Sequence, residues 1–199
     1  MKTEEKIEVF FARLQKLGYD IPGKCLLSLK TEEKIENYCY RYGEVTTANE
    51  ANKDLLTLNA KLMEQYGAKV VLQSGTYWAS VWACLGYRIP PISYLHAENF
   101  FGEIRCTGDL FMDEFAQGYA EPIAKQIAAI YEKSLPYKPS AVLVYKRGPV
   151  LWGETLDEVL DKALALEEVA KLAYHVTDIA GINNKFLSYG AMEKAYLDK

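Results

Sequence analysis

The sequence predicts a mixed α/β domain in which roughly six to nine strands mostly alternate with helices. Residues 141–176 carry the first indication: a β-branched apolar run (Ala141 to Tyr145), a break at Arg147-Gly148-Pro149, a short strand (Val150 to Trp152) and a long amphipathic helix. Residues 69–85 repeat the plan, with a buried strand Lys69 to Leu72, a polar turn Gln73 to Thr76 and an apolar helix Tyr77 to Leu85. No internal repeat, low-complexity segment or linker interrupts the 199 residues, so one domain over 1–199 is expected.

Taken in order, Ile7, Phe10, Phe11, Leu14 and Leu17 share a helical face, and Gly18 stands where a helix-closing glycine belongs. Asp20 to Lys24 reads as a turn, Cys25 to Leu29 as a short strand, and Glu32 to Tyr42 as a tyrosine-rich helix. Glu44 to Asn52 is polar enough for a loop. Leu55, Leu58, Leu62 and Tyr66 mark a helix closed by Gly67. After the Pro90-Pro91 turn, Ile92 to Leu95 and Phe100 to Ile104 read as short strands, separated by His96-Ala97-Glu98-Asn99. Pro122 suits the first turn of a helix bearing Ile123, Ile127, Ile130 and Tyr131. Pro136 and Pro139 then lead into the strand at Ala141. Thr155 and Glu158 form a capping box, followed by Val159, Ala163, Leu166, Ala170 and Ala173 on one helical face. A last helix is expected over Asn184 to Leu197.

Composition narrows the function classes. A net charge of −4 without a lysine or arginine run gives no footprint for nucleic acid. Tyr38, Tyr40 and Tyr42 alternate among few basic neighbours, which favours packing over a base-stacking platform. Val70 to Tyr87 is broken by Gln, Ser, Gly and Thr and reads as core, with no membrane partner implied. The charged start MKTEEKIEVFF lacks a signal-peptide apolar region, which makes a cytoplasmic location the default. Cys25, Cys39, Cys84 and Cys106 form no C-x-x-C pair and fit reduced thiols.

Three polar turns follow apolar strands, at Gln73 to Thr76, His96 to Asn99 and Tyr145 to Arg147, and such turns can converge into a pocket. The chain has two histidines, fewer than the three typical of a zinc enzyme. His175, inside the long helix, is expected to play a surface or core role. His96 stands two residues before Glu98, a pair that could serve as acid and base, or it is a hydrogen-bonded loop histidine. No nucleophile elbow, P-loop or dinucleotide fingerprint is present.

The stretches VYKRGPVLWGETLDEVLDKALALEEVAKLA and SVWACLGYRIPPISYLHAENFFGEIRCT resemble the class II aldolase and adducin family, in particular its L-ribulose-5-phosphate 4-epimerase branch. In that branch W-A-x-x-G-x-x-I-P is followed by H-A-D-Y-F-Y-G and I-P-C-T, and an H-G turn precedes a W-G helix. The resemblance spans about Asp54 to Val176. It implies a three-layer α/β fold, a central, mainly antiparallel sheet flanked by helices, and a homotetramer with the site between subunits.

The resemblance also implies a divalent metal, commonly zinc, held by an H-x-H and a third histidine. This chain has Gln73 and Gly75 at the first two positions and Arg147 at the third. Glycine offers no ligand, glutamine is a weak one for zinc, and a guanidinium repels a cation, so no cofactor is expected. Glu98 matches the acidic residue that serves proton transfer in the epimerases. Asp54 matches the acid after the phosphate-binding serines, whose places are taken by Asn52 and Lys53, and a catalytic histidine is replaced around Gly190.

Three functional expectations result. The leading one is a diverged member without the usual zinc-dependent activity, binding a small phosphorylated or carboxylated sugar-like metabolite through Gln73, Ser74, Gly75, Tyr145, Arg147, Lys53 and Asp54. An active sugar-phosphate epimerase or aldolase with a rebuilt metal or acid/base site, for example His96 and Glu98, is the alternative. A non-catalytic adducin-like interaction module is the third.

Overall fold

Alternation of apolar residues on both faces of a central sheet organises the chain into three layers. The computed structural model describes residues 3–16, 24–41, 43–116, 118–132, 139–181 and 186–198. The expected positions Leu17, Gly18, Tyr42, Pro136 and Asn184 lie outside them. The strands are β1 (Cys25–Lys30), β2 (Ile35–Arg41), β3 (Glu44–Thr47), β4 (Val70–Gln73), β5 (Ala141–Val144) and β6 (Gly148–Gly153). They pair in the order β3-β2-β1-β4-β6-β5, every pair antiparallel. The helices are α1 (Thr3–Lys16), α2 (Lys53–Tyr66), α3 (Tyr77–Leu85), α4 (Tyr94–Phe100), α5 (Met112–Ala116), α6 (Ala120–Glu132), α7 (Leu156–Ala180) and α8 (Tyr189–Leu197).

The strand pleat sends successive side chains to opposite faces. Val70, Leu72, Leu143 and Leu151 pack with Phe10 and Phe11 of α1, Trp82 of α3 and Val159, Leu166 and Ala170 of α7. Val71, Val142, Val144, Val150 and Trp152 pack with Leu58, Leu62 and Met63 of α2 and Ile123 and Ile127 of α6. Helices thus cover both faces, as the sequence implied. Beyond the last strand, residues 105–107 cover the β5 edge, where Leu143 N–H donates to Arg105 O (2.8 Å) and Thr107 N–H to Leu143 O (2.9 Å).

Several expectations hold closely. α3 spans Tyr77–Leu85 and ends at Gly86, and α2 ends at Gly67 with φ of 68°. Thr155 caps α7, its side chain accepting from Glu158 N–H at 3.2 Å, while the Glu158 carboxylate accepts from Glu154 N–H at 2.9 Å. Val159, Ala163, Leu166, Ala170 and Ala173 are all buried.

Four expectations are corrected. Glu32 to Tyr42 is not a helix: Ile35–Arg41 is β2, paired with β1 so that Leu27 faces Tyr38 and Cys25 faces Tyr40. The two-residue period of the tyrosines places Tyr38 and Tyr40 on one face, where Tyr40 stacks on Phe11. Ile92 to Leu95 is not a strand, because Ser93 accepts from His96 N–H (3.2 Å) and opens α4. Of Phe100 to Ile104, only Ile104 pairs, in an isolated bridge with Ile89. The loop expected over Glu44 to Asn52 holds β3 and a single 3-10 turn at Glu50–Asn52.

Two helices of one layer, α3 and α7, are joined by a buried carboxylate. Glu167 of α7 is fully buried, and its two oxygens accept from Trp78 N–H (2.9 Å) and Ala79 N–H (3.0 Å), the free donors of the first turn of α3. Burial pushes its pKa above the usual carboxylate value, opposed by hydrogen bonds from Ala79, Thr76 and Trp78. In Glu167→Gln an amide NH2 would face a backbone donor, leaving a buried group unsatisfied. The expected loss is about 1–3 kcal/mol, read from urea unfolding; an unchanged midpoint would show that the carboxylate does not hold α3.

Candidate functional site

The carboxyl end of β4 meets the amino end of β6. Gln73 pairs with Val150, and Ser74 N–H donates to Pro149 O at 2.9 Å. The turn from β5 to β6 is closed by Arg147 N–H on Val144 O (2.9 Å) and is docked on the end of α3 by Lys146 N–H on Ala83 O (3.1 Å). Lys146 has φ of 56°, and Gly148 follows at φ of 124° with its Cβ position only 2.9 Å from Ser74 O. Any larger residue at 148 would collide with the β4 turn, so glycine is required there.

A cleft of about 190 Å3 lies at this junction, lined by Lys24, Leu26, Leu55, Gln73, Ser74, Tyr119, Val144, Arg147 and residues 148–150. It is smaller than the roughly 300–1,000 Å3 pockets of drug-sized ligands. The Arg147 guanidinium lies over the Tyr119 ring, 4.4 Å from its centroid. Burial pushes the Tyr119 phenol above its ordinary pKa, and the charge of Arg147 opposes that. Lys24 reaches Asn52 through its ammonium. Gln73 is held in place: its amide nitrogen donates to Leu55 O (2.8 Å) and Asn59 Oδ1 (2.6 Å). Asn59 in turn donates to Ser28 Oγ (2.8 Å), and Ser28 to Asn37 Oδ1 (2.7 Å). This polar chain runs from the cleft through buried Asn59 and Ser28 to β2.

Of the residues singled out in the sequence, Gln73, Ser74 and Arg147 come together in the cleft. Gly75 is buried beside them, its N–H donating to Cys25 Sγ at 3.2 Å. Burial pushes the Cys25 thiol up to about 12, so it is no nucleophile near neutral pH. Tyr145 does not line the cleft; its ring packs against the Cβ position of Gly86 at 3.1 Å. Lys53 and Asp54 are exposed in the first turn of α2, Lys53 3.9 Å from Glu50. The sequence reading missed Lys24 and Tyr119.

His96 and Glu98 do not form a pair. Two residues apart on α4 they sit on different sides of the helix, His96 fully buried and Glu98 exposed. His96 Nε2 is 2.7 Å from Gly102 O and donates to it, while Nδ1 has no hydrogen-bond partner among the described residues. Burial lowers its pKa from 6.5 to about 4. His175 is exposed and packs beside Trp78, as expected of a structural residue.

The groups that converge in the cleft are an ammonium, a guanidinium, a carboxamide, a hydroxyl and a phenol. Among the described residues no three His, Cys, Asp or Glu side chains are placed to hold a metal ion. The cleft's donor set therefore does not fit a divalent cation, which needs imidazole, thiolate or carboxylate ligands. It fits an anion.

A family model, the class II aldolase and adducin N-terminal domain, matches residues 43–174. The chain belongs to this family. Among solved structures it is similar to an L-fuculose 1-phosphate aldolase, 14% identical, with 100% of this chain and 97% of that one covered at a TM-score of 0.74. It is also similar to YgbL of Escherichia coli, described as a putative aldolase/epimerase/decarboxylase, at 18% identity, 97% coverage of both chains and a TM-score of 0.67. The Klebsiella pneumoniae YgbL is 16% identical, with 96% of both chains covered and a TM-score of 0.69. At these identities the likeness is one of fold. No helix among the described residues of this class II aldolase family member is long and apolar enough to cross a membrane.

The buried His96 gives the fold a pH dependence of known sign. Its folded-state pKa lies below the unfolded value, so the unfolded chain binds the extra proton between the two. The contribution is complete above about pH 6.5 and is lost as the pH falls toward about 4, amounting to roughly 3 kcal/mol at most. Urea unfolding of the wild type and His96→Gln across this range should give a flatter pH profile for the variant. Parallel profiles would rule the assignment out.

Proposed function

We propose that this protein is a diverged class II aldolase family member that binds a small phosphorylated or carboxylated sugar-like metabolite without the usual zinc-dependent chemistry. The observation that carries this reading is the cleft at the end of β4, where Lys24 and Arg147 supply two cations and no ligating set accompanies them. In the resemblance to the epimerase branch, the positions of the metal-binding histidines fall on Gln73, Gly75 and Arg147. Arg147 then stands where a metal would otherwise neutralise the substrate's charge, and its planar fork suits two oxygens of a carboxylate or phosphate. Gln73 and Ser74 orient the ligand's polar groups. Lys53 and Asp54 lie between Asn52, which holds Lys24, and the cleft-lining Leu55, and the reading has them contact the far end of the ligand, with Lys53 leaving Glu50 to do so. Without a Lewis acid an aldol cleavage or epimerisation lacks the stabilisation of its enediolate, worth several kcal/mol.

The reading includes a homotetramer, supported by large apolar side chains that remain exposed on the single chain. Tyr94, Phe111 and Met112 are 60%, 73% and 87% exposed. Sedimentation equilibrium is expected to return a tetramer, and a monomer would remove this part of the proposal.

The ligand reading is tested by thermal shift with inorganic phosphate and ribulose 5-phosphate. A ligand at ten times its Kd adds about 1.4 kcal/mol, which raises Tm by roughly 3–6 °C for a chain of this size. Arg147→Ala should abolish the shift; an undiminished shift in that variant would sink the proposal. The metal is tested separately, by elemental analysis of protein prepared without a histidine tag. Less than about one zinc or manganese per ten chains is expected, with Tm unchanged by EDTA. Stoichiometric metal would favour a rebuilt metalloenzyme instead.

A further inference from the structure

A second, larger cavity of about 560 Å3 shares no residue with the β4 cleft. Its size falls within the range of ordinary small-molecule sites. It is built on the isolated antiparallel bridge between Ile89 and Ile104, which bond through both backbone pairs at 2.9 and 3.1 Å. Both isoleucines are buried. Their neighbours Arg88, Glu103 and Arg105 therefore project to the other side of the bridge, and all three line the cavity. The Glu103 carboxylate lies between the arginines, 3.0 Å from Arg88 Nε and 4.0 Å from Arg105 Nε. Arg105 Nη1 also donates to Ile130 O at 3.2 Å. Two guanidinium groups against one carboxylate leave one positive charge in excess. The contact of Arg88 with Glu103 uses Nε, so its two terminal amino groups are not committed by it.

The remaining wall is mostly apolar, with Trp82, Ile92, Ile130 and Phe186, and Tyr87 and Thr177 add a phenol and a hydroxyl. Leu187 N–H donates to Pro91 O at 3.0 Å and so fixes Phe186 beside the Pro90 to Ile92 side. Cys106 also lines the cavity, but burial and the nearby Cys84 push its thiol up to about 11, which leaves little thiolate for covalent chemistry at neutral pH.

We propose that this cavity binds a small carboxylate with an apolar or aromatic body, the carboxylate against Arg88 and the body against Trp82, Ile92 and Phe186. One excess positive charge matches a monocarboxylate, and with Tyr87 and Thr177 as the neutral hydroxyls of a mostly apolar lining, most hydroxyls of a sugar phosphate would go unpaired. The site is independent of the β4 cleft, so either can exist without the other.

Isothermal calorimetry with 4-phenylbutyrate and its uncharged counterpart 4-phenyl-1-butanol tests this. The acid should bind saturably and about tenfold or more tightly than the alcohol. Arg88→Gln, at an exposed side chain, should bring the two within about threefold, and Phe186→Ser should weaken both. Arg147→Ala should change neither. The proposal is overturned by an absence of saturable binding of the acid, by equal affinity for acid and alcohol in the wild type, or by loss of binding in Arg147→Ala instead of Arg88→Gln.

Discussion

The Glu167 carboxylate is the contact on which the arrangement of α3 against α7, in the helix layer over one face of the sheet, depends. A charge taken out of water is costly unless hydrogen bonds replace its solvation, and removing its partners is costlier still. Glu167 finds its replacement donors at the start of α3, in Trp78 and Ala79 N–H and the Thr76 hydroxyl. This restricts α7 to one register against α3, and Trp82 Nε1 repeats the restriction one turn later by donating to Ala170 O at 2.9 Å. Because α3 begins three residues after β4 ends, the turn between them inherits that restriction. Ser74 and Thr76, whose hydroxyls are 3.1 Å apart, are thus held from both the sheet and the helix layer.

The fold was legible where local pattern and tertiary packing agree. Tyr77 to Leu85 forms the expected helix, although it is buried only along Ala79, Trp82 and Ala83 while Tyr77, Cys84 and Leu85 stay exposed on the single chain, and Thr155 with Glu158 announces α7 through a cap that needs no distant partner. Ile35 to Arg41 was misread because Glu32, Glu33 and Lys34 look like the charged first turn of a helix. The strand is decided by its pairing with β1, which brings Tyr38 and Tyr40 onto the α1 side of the sheet. Ile92 to Leu95 was misread for the opposite reason, since a short apolar run fits a strand until the Ser93 side chain caps the turn that follows.

The site was legible in part on the same grounds. Gln73, Ser74 and Arg147 each follow a buried strand, so local reading finds them. Lys24 reaches them only because β1 lies beside β4, with Leu26 opposite Gln73, and Tyr119 only because the segment before α6 closes over Arg147. Those neighbours are set by sheet order, which no short window of sequence contains. His96 and Glu98 illustrate the converse: adjacency in the chain suggested cooperation, and about half a turn of helix separated a core residue from a surface one. Membership of the class II aldolase family fixes the scaffold, while the chemistry rests on side chains at its turns.

The stacking of Arg147 on Tyr119 has a consequence for selectivity. A guanidinium held over a ring, as Arg147 is at 4.4 Å from the Tyr119 centroid, has already lost much of the rotational freedom that a long cationic side chain keeps in solvent, so less remains to be lost when an anion arrives. Its donors are also confined to one plane. On the proposed function, the cleft would favour anions that present two oxygens in that plane over spherical ions such as chloride at equal concentration. Lysine at the same position would keep the charge and forfeit the directionality.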